Sequence, residues 1–423
     1  MRHLGALGYL LFWMLAASGI YLYVRFDTSA AGAYTSIGKL EWWFGGVLRS
    51  VHRYAADALV LVTITHIIRE VWLGRFRGWR AFTWISGVPL VWLLYASGLV
   101  GYWLVWDTRS QFSFLATLEW LGIAARAGEA PDRLFSLFVF LHIGLPLALL
   151  AGMWVHVQRL GQPKTSPPRA VAFAFMGMVV ALAVLRPAAS EPQWDPVRAS
   201  QNVAVDWFYQ FIHPLMYATS PAFVWVFVLG VTALLFLTPY LGRKPRLLAA
   251  QVDPQNCNGC GRCVADCPYQ AVILSETRKA LVFADRCAAC GICAGACPSS
   301  TPFRSIRELV SGIELPDLTM QDLRRKVQAA LVSRPEELVF SCQMSPTQGG
   351  IALRCLAMLP PAFVEYALRN GVPRVRALGC KGECAYRLGM ELCEERFTGR
   401  SEPHLRATVR TERHDNEYSF VLR

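Results

Sequence analysis

The chain has 423 residues, of which 54% are hydrophobic and 17% are charged, and its mean hydropathy is +0.32. This length suggests two or three domains, and the apolar composition indicates that part of the chain lies in a membrane. The formal net charge of +12 can indicate a nucleic-acid partner. We do not expect one, because no basic platform interleaved with aromatic residues is present and because arginines in loops account for the excess charge.

Six apolar stretches in the first part of the chain predict membrane-spanning helices. The first stretch begins in a way that could mimic a signal peptide, but its apolar run continues to Val24, so we interpret it as a retained helix. The fifth is short and needs its flanks to reach across a bilayer. The stretches cover residues 4–24, 47–72, 84–106, 134–157, 171–185 and 221–241.

The loops predict how these helices are oriented. Basic residues without acidic ones follow the second, fourth and sixth stretches, whereas the alternate loops mix both signs. Because cytoplasmic loops carry an excess of Lys and Arg, we expect both termini in the cytoplasm of a prokaryotic cell, with the helices in its inner membrane. The basic residues are Arg75, Arg77, Arg80, Arg159, Lys164, Arg169, Arg243, Lys244 and Arg246.

Two of the apolar stretches carry paired histidines. His52 and His66 are 14 residues apart, and His142 and His156 repeat that spacing. Fourteen residues make almost four helical turns, so each pair lies on one helix face, about 21 Å apart. A single imidazole in a membrane helix could be a hydrogen-bonded packing residue, but two identically spaced pairs predict two b-type haems. His52 and His142 would ligate the outer haem, and His66 and His156 the inner, cytoplasmic-side haem.

At these motifs the chain resembles a family. Residues 1–246 resemble cytochrome b of the bc-type quinol-oxidising complexes, especially the form split into a four-helix and a smaller subunit. The resemblance rests on S-V-H-R at 50–53, H-I-I-R at 66–69, G-Y-W-L-V-W-D at 101–107 and V-L-R-P at 184–187. It implies that four glycines let haem planes approach the helices and that three arginines lie near haem propionates. Helix packing and interfacial snorkelling remain the alternatives for these residues, which are Gly5, Gly19, Gly87, Gly101, Arg49, Arg53 and Arg69.

The same resemblance implies a quinol-oxidising pocket on the outer side. Members of the family carry a Pro-Glu-Trp-Tyr tetrad there, whose glutamate is thought to receive a quinol proton. Here residues 205–208 read Val-Asp-Trp-Phe, so a shorter carboxylate is kept while the proline and the tyrosine hydroxyl are lost. Asp206 could accept a proton from quinol beside Trp207, or it could be a solvated loop acid. His213 could assist proton exit, although a structural role is favoured.

All thirteen cysteines lie at or after Cys257, and eight of them form a repeated pattern. The pattern C-x2-C-x2-C-x3-C-P occurs twice within residues 251–303, and it is typical of ferredoxins with two [4Fe–4S] clusters. Zinc and disulfides are the weaker alternatives. About fifty residues cannot bury a large core, so we expect the clusters to stabilise this domain, and their retention fits a reducing cytoplasm. Because each fourth cysteine ligates the other cluster, the expected sets are Cys257, Cys260, Cys263 and Cys297 for the first, and Cys287, Cys290, Cys293 and Cys267 for the second.

Residues 304–334 are interpreted as a connector, and residues 335–423 as a small α/β domain. Strands are predicted at 338–342 and 375–378, with a helix at 360–370 between them. Cysteines at the carboxyl ends of these strands could converge on one metal centre, but their loose spacing alone leaves this open. The candidates are Cys342, Cys355, Cys380 and Cys384. Cys393 is a fifth candidate, for which a role as a packing or spare thiol is favoured.

A second resemblance bears on this domain. G-C-K-G-E-C-A-Y at 379–386 and P-P-A-F-V-E-Y-A-L-R-N-G at 360–371 are similar to the small iron–sulfur subunit of methyl-viologen-reducing hydrogenases. That resemblance implies a [2Fe–2S] cluster and electron exchange with the flavoprotein of heterodisulfide reductase.

The predicted fold is therefore an all-α membrane bundle of six helices, followed by a bacterial-type ferredoxin domain and a small α/β iron–sulfur domain. We expect an oxidoreductase subunit that exchanges electrons between the quinone pool and a cytoplasmic flavoprotein. The alternative is a membrane anchor that relays electrons while quinone chemistry occurs in another subunit. Homodimerisation is expected only from the resemblance to bc-type complexes.

Overall fold

The computed structural model describes residues 3–123, 132–193, 203–241, 247–305, 307–381 and 384–422. The chain forms two compact units, of which the first comprises Met1–Val157 and Pro163–Leu241 and the second comprises Gln158–Gln162 and Gly242–Arg423. Arg243, Lys244 and Arg246, which contributed to the predicted orientation, lie outside the described residues, as do Gly382 and Glu383 of the G-C-K-G-E-C motif. The predicted domain boundaries stay predictions.

The first unit is helical. Four of its helices are long and apolar enough to cross a membrane, and they cover Leu4–Arg25, Gly78–Trp103, Arg133–Val157 and Pro221–Tyr240. The helices in chain order are α1 (Leu4–Arg25), α2 (Ala30–Gly38), α3 (Val47–Trp72), α4 (Ala81–Trp103), α5 (Thr108–Trp120), α6 (Asp132–Val157), α7 (Arg169–Leu185), α8 (Ile212–Ala218) and α9 (Pro221–Leu237).

The predicted count of six spans is not confirmed. Helix α3 is 26 residues long, but charged side chains near both its ends lower its hydropathy. Helix α7 has 17 residues and is too short by itself. The charged residues of α3 are Arg49, Arg53, Asp57, Arg69 and Glu70.

Two helix pairs form the centre of this unit. Helix α1 packs along α3, and α4 packs along α6. Aromatic rings close the end of the core beside α5, where Trp103 lies 5.4 Å from Phe114 and 5.2 Å from Phe138, measured between ring centroids. Helix α5 begins there because the Asp107 side chain accepts a hydrogen bond from the Ser110 backbone N–H, as a good N-cap does.

The second unit begins with two similar cysteine-bearing segments. Short helices α10 (Arg262–Ala265) and α11 (Ile292–Ala296) each follow a glycine with a left-handed backbone, Gly261 and Gly291, both at φ +77°. Glycine adopts this conformation without steric cost. Strands β1 (Gln251–Val252) and β4 (Ile313–Glu314) pair antiparallel, as do β2 (Val272–Leu274) and β3 (Ala280–Val282).

The rest of the unit is an α/β domain with a five-stranded sheet. In chain order its elements are α12 (Met320–Val332), β5 (Glu337–Cys342), β6 (Ile351–Leu353), α13 (Pro361–Arg369), β7 (Arg374–Leu378), α14 (Gly389–Phe397), β8 (Val409–His414) and β9 (Glu417–Leu422). The strand order is β6-β5-β7-β9-β8, and β5 runs parallel to both of its neighbours. Alternate residues of β7 and β9 are buried, as expected for strands with one covered face. The sequence anticipated β5, α13 and β7 to within a residue at each end, but not α14, β8 and β9.

Candidate cofactor and quinone sites

His52 on α3 and His142 on α6 face one another. Their ring centroids are 6.2 Å apart, and their planes are inclined at 66°. Two metal–imidazole bonds of about 2.0 Å each, plus the distance from each bonding nitrogen to its ring centre, account for this separation. The two imidazoles are therefore spaced so that they would fit as ligands of one metal ion. In the other predicted pair, His66 lies close enough to His156 for their charges to interact.

Hydrogen bonds orient three of the four imidazoles. Nδ1 of His142 lies 3.0 Å from the backbone oxygen of Ser97, to which it can only donate. Nδ1 of His52 and Nδ1 of His156 lie 3.0 and 3.2 Å from the hydroxyls of Ser18 and Ser86. A partner at Nδ1 fixes the ring and leaves Nε2 available to a metal. Nδ1 of His66 is buried and has no hydrogen-bond partner within the described part of the chain.

Three of the four predicted glycines lie directly against these rings. A Cβ atom at Gly19, Gly87 or Gly101 would lie 3.2, 3.0 or 2.7 Å from Cε1 of His52, His156 or His142, respectively. A Cβ at Gly5 would meet nothing within 4 Å. The described contacts of these glycines are thus with the histidine rings themselves, whereas the family resemblance implied an approach by the haem plane.

The predicted propionate-binding arginines have protein partners. Arg49 Nη2 donates to the Ser190 hydroxyl at 2.7 Å, and Arg69 pairs with Glu70 at 2.5 Å. Arg53 pairs with two carboxylates, Asp57 one turn further along α3 and Asp206 at 2.8 Å. Side chains of Arg53 and Asp57 remain partly exposed, 30% and 22% respectively.

Asp206 is not a solvated loop acid. Its side chain is 2% exposed, and both of its oxygens are occupied. Oδ2 accepts from Arg53 and from the Tyr102 hydroxyl, each at 2.8 Å. Oδ1 accepts from the backbone N–H groups of Phe208 at 2.9 Å and Tyr209 at 2.6 Å. The carboxylate thus accepts four hydrogen bonds, two at each oxygen.

Two residues near Asp206 were missed in the sequence. Tyr209 directly follows the tetrad-like segment, is buried between Tyr95 and Tyr102, and has a hydroxyl without a hydrogen-bond partner among the described residues. A Cβ at Gly98 would overlap its ring. A tyrosine thus follows Phe208 directly, and the reading Asp-Trp-Phe-Tyr at residues 206–209 is the sequence signal that could have drawn attention to it. Asp57 was missed because its connection to Asp206, through Arg53, depends on a contact between residues that are far apart in the chain.

The remaining residues of this loop differ in exposure. Trp207 is 53% exposed and contacts the Phe208 ring. His213 is buried, and its Nε2 lies 3.0 Å from the Thr117 hydroxyl. Burial lowers the pKa of His213 from 6.5 to about 4. These contacts match the structural role favoured for His213.

The first cysteine set of the second unit surrounds a pocket. The thiols of Cys257, Cys260, Cys263 and Cys297 line it, together with Gly259, Gly261, Leu274, Ala280, Gly312 and Ile313. The Ala280 backbone N–H points at the Cys257 sulfur at 3.5 Å. Cys297 joins this group from the second motif, as expected where the fourth cysteines are exchanged between two clusters.

The second set is more deeply buried. Cys293 interacts with Cys290, Cys287 and Cys267, the last of which comes from the first motif. Backbone N–H groups of Ala271 and Ala289 donate to the sulfurs of Cys267 and Cys287, at 3.2 and 3.4 Å. Burial raises the pKa of the Cys290 and Cys293 thiols well above the usual range, so thiolates here need a cation such as iron to hold their charge.

Four cysteines of the last domain also converge. The sulfurs of Cys342 and Cys380 are 3.3 Å apart, and the Cys384 thiol hydrogen-bonds with Cys380 and Cys355. A Cβ at Gly389 would lie 2.7 Å from the Cys355 sulfur and 3.0 Å from the Cys384 sulfur. The first turn of α14 thus leaves room for these thiols. Cys393 is fully buried on the same helix, near Cys355 and Cys380.

None of these cysteine groups is arranged for a single ion. Within the described ranges, no three His, Cys, Asp or Glu side chains are placed to hold one metal ion.

Three segments of the chain match family models, in this order. Residues 1–162 match cytochrome b/b6/petB, residues 249–314 match the 4Fe-4S dicluster domain, and residues 337–416 match the delta subunit of methyl-viologen-reducing hydrogenase. These matches confirm both resemblances drawn from the sequence. The cytochrome b match ends before α7.

Individual relatives agree with the first match. Cytochrome b6 of Prochlorococcus marinus (strain AS9601) is 29% identical over 185 residues, which cover 39% of this chain and 82% of the relative. Cytochrome b6 of Synechococcus sp. (strain CC9902) is 35% identical over 106 residues, which cover 25% of this chain and 49% of the relative. A solved structure titled "Hyperthermophilic respiratory Complex III" aligns at a TM-score of 0.47 and 19% identity, over 58% of this chain and 76% of that chain.

Proposed function

We propose that this chain, a membrane electron-transfer subunit that joins a cytochrome b domain to two iron–sulfur domains, exchanges electrons between the quinone pool and a cytoplasmic flavoprotein. The flavoprotein is related to the flavin subunit of heterodisulfide reductase, and the assembly resembles a bc-type respiratory complex and forms a homodimer. The observation that carries the proposal is the facing pair His52 and His142, with ring centroids 6.2 Å apart, in a chain whose second unit gathers twelve cysteines into three groups.

When bound, two haems b, two [4Fe–4S] clusters and one [2Fe–2S] cluster supply one-electron redox sites. His52 and His142 hold the outer haem, and His66 and His156 hold the inner one. Ser18, Ser86 and the Ser97 carbonyl occupy Nδ1 of three of these imidazoles, so Nε2 of each would be available to bind the haem iron. The cysteine sets hold the clusters as grouped above, with Cys342, Cys355, Cys380 and Cys384 around the [2Fe–2S] cluster.

Six membrane crossings, with both termini and the iron–sulfur domains in the cytoplasm of a prokaryotic cell, complete this proposal. Helix α3 is one of the six despite its charges. Arg53, Asp57 and Asp206 neutralise part of one another's charge, and ionisable groups in membrane helices are tolerated where they pair in this way.

The outer quinone site centres on Asp206 and Trp207. Asp206 takes the quinol proton once Arg53 or Tyr102 has withdrawn from Oδ2, while Phe208 and Tyr209 hold Oδ1 through their backbone N–H groups. The exposed Trp207 ring supplies an apolar wall for the substrate. The direction of electron flow depends on the potentials of the two partners.

Quinol oxidation is tested by mixing the oxidised protein anaerobically with a quinol and following the haem absorption band. We expect rapid haem reduction in the native protein and in Glu191→Gln, a control carboxylate that pairs with Arg109 outside the Asp206 cluster. We expect at least about a tenfold slower reduction in Asp206→Asn. An unchanged rate of haem reduction in Asp206→Asn, with both haems intact, would show that Asp206 takes no part in quinol oxidation.

A second candidate function is an anchor that relays electrons while quinone is oxidised in another subunit. The four donors that already occupy Asp206 favour it, because they leave that carboxylate no free acceptor site. In this case the quinol reduces neither the native protein nor any variant, although dithionite still reduces the haems. A potentiometric titration then distinguishes a relay from haem potentials that are too low for the chosen quinol.

A further inference from the structure

The second unit contains a buried arginine outside the cofactor sites. Arg396 on α14 is 1% exposed and is one of the largest fully buried side chains of the described chain. Its Nη1 donates to the Ala357 backbone oxygen at 2.7 Å, and its Nη2 donates to Asp266 at 2.5 Å and to the Ile292 backbone oxygen at 3.3 Å. Removing a guanidinium from water costs several kcal/mol unless such partners compensate it, so this placement requires a reason.

The three partners of Arg396 all neighbour predicted cluster ligands. Asp266 immediately precedes Cys267, and Ile292 lies between Cys290 and Cys293. Both therefore belong to the backbone that surrounds the second [4Fe–4S] site. Ala357 follows Cys355 by two residues and belongs to the [2Fe–2S] site. One guanidinium thus connects the segments that hold two different clusters.

Close packing joins the same two segments. A Cβ at Gly291 would lie 2.6 Å from the Met358 sulfur, and a Cβ at Gly295 would overlap the Ala357 backbone oxygen. At Gly295 the ferredoxin loop therefore lies directly against the Ala357 backbone, and at Gly291 it lies against the Met358 side chain. The Cys290 thiol also interacts electrostatically with Cys355.

The first [4Fe–4S] site lacks this relation to the last domain. Its described lining residues all lie between Cys257 and Ile313, and none comes from the five-stranded α/β domain. Cys260 of this site is exposed, whereas Cys290 and Cys293 are buried. The two ferredoxin sites, which the sequence pattern makes equivalent, are therefore placed differently.

We propose that Arg396 is a positioning residue that clamps the second [4Fe–4S] site to the [2Fe–2S] site, so that electrons pass between these two sites by way of Cys290 and Cys355. The inference rests on the proposed function for the identity of both clusters. One electron leaves one site, which is oxidised, and reaches the other, which is reduced, without a proton. The first [4Fe–4S] site, with its exposed Cys260, then has no direct contact with the terminal site and is the one open to the surface of this unit.

The clamp is tested on the full-length holoprotein with Arg396→Met, which keeps much of the side-chain volume but removes the charge and the donors. The matched control is Arg324→Met, because Arg324 is also buried and donates to the Arg304 and Arg307 backbone oxygens, away from the clamp. The protein is reduced in steps with dithionite, and the magnetic interaction between the two reduced centres is followed by EPR spectroscopy. Freeze-quench sampling gives the rate at which the [2Fe–2S] signal equilibrates.

We expect the interaction to weaken and the equilibration to slow by about tenfold or more in Arg396→Met, with iron content and the control unchanged. An unaltered interaction and rate in a fully loaded Arg396→Met protein would overturn the clamp. If Arg396→Met loses iron, Asp266→Ala decides in the same assay, because it removes the side-chain acceptor of Nη2 while both bonds to backbone carbonyls remain. A weakened interaction in Asp266→Ala supports the clamp, and an unchanged one overturns it. Dithionite reduces the clusters without any quinone, so the result of this test does not depend on whether the protein reacts with quinol.

Discussion

Replacement of Gly101 by alanine should displace His142 and remove the outer haem. The added Cβ would lie 2.7 Å from Cε1 of His142, which is 0.7 Å short of the 3.4 Å at which ordinary contact begins. The imidazole cannot swing aside freely, because Nδ1 is bonded to the Ser97 oxygen. A shift of this size exceeds the tolerance of about 0.2 Å in a metal–ligand distance. Overpacking of this kind costs about 1–3 kcal/mol, which corresponds to roughly 5- to 150-fold in haem affinity.

The assay is the haem-to-protein ratio of purified protein, combined with a potentiometric titration that resolves the two haems. The matched control is Gly144→Ala on the same helix as His142, where an added Cβ meets nothing within 4 Å. We expect Gly101→Ala to lose the outer haem and keep the inner one, and Gly144→Ala to keep both. Full occupancy in Gly101→Ala, with an unchanged outer-haem potential and EPR signal, would refute the argument that this glycine makes room for the ligand.

Two further predictions concern the terminal cluster and a buried histidine. Gly389→Ala should remove the [2Fe–2S] EPR signal and leave the [4Fe–4S] signals, because its Cβ would lie 2.7 Å from the Cys355 sulfur; a retained signal would show that the sulfurs can yield. The lowered pKa of His213, about 4 against 6.5, means that the unfolded chain binds more protons between these values. The stabilisation is thus fully present above about pH 6.5 and is lost as the pH falls toward 4, by up to about 3 kcal/mol. His213→Gln should flatten this part of the curve of thermal unfolding midpoint against pH, and a curve as steep as that of the native protein would contradict the assignment.

The cofactor-bearing segments were predictable because their geometry is local. A cluster loop needs its thiolates at short fixed spacings, and a histidine pair on one helix face needs a spacing near a whole number of turns. Both requirements can therefore be recognised from residue spacing alone. The exchange of Cys267 and Cys297 between the two groups followed from the same pattern, and the structure places each beside the expected partners.

What the sequence did not predict depends on contacts between distant residues. Asp57 and Asp206 are joined through Arg53, although 149 positions separate them in the chain. Arg396 bonds to residues 39, 104 and 130 positions away. A charged side chain is predicted to be exposed unless its partner is known. Composition and periodicity therefore gave no indication of the Arg53 group or of the Arg396 contacts.

The same dependence on tertiary contacts explains why α3 does not count among the candidate membrane spans. A hydropathy window treats each charge of α3 as isolated, and by that measure the helix that carries His52 and His66 does not qualify as a span. In the folded unit, Arg53 meets Asp57 and Asp206, and Arg69 meets Glu70. Paired charges of this kind cost a membrane helix much less than isolated ones. If α3 crosses the bilayer, uncoupling a pair should therefore impair membrane insertion more than removing both of its members. Arg53→Gln alone, which leaves Asp57 without its partner, should insert less well than the double change Arg53→Gln with Asp57→Asn, as measured by glycosylation mapping of α3. Equal insertion of the two variants would mean that pairing does not offset the charges of this helix.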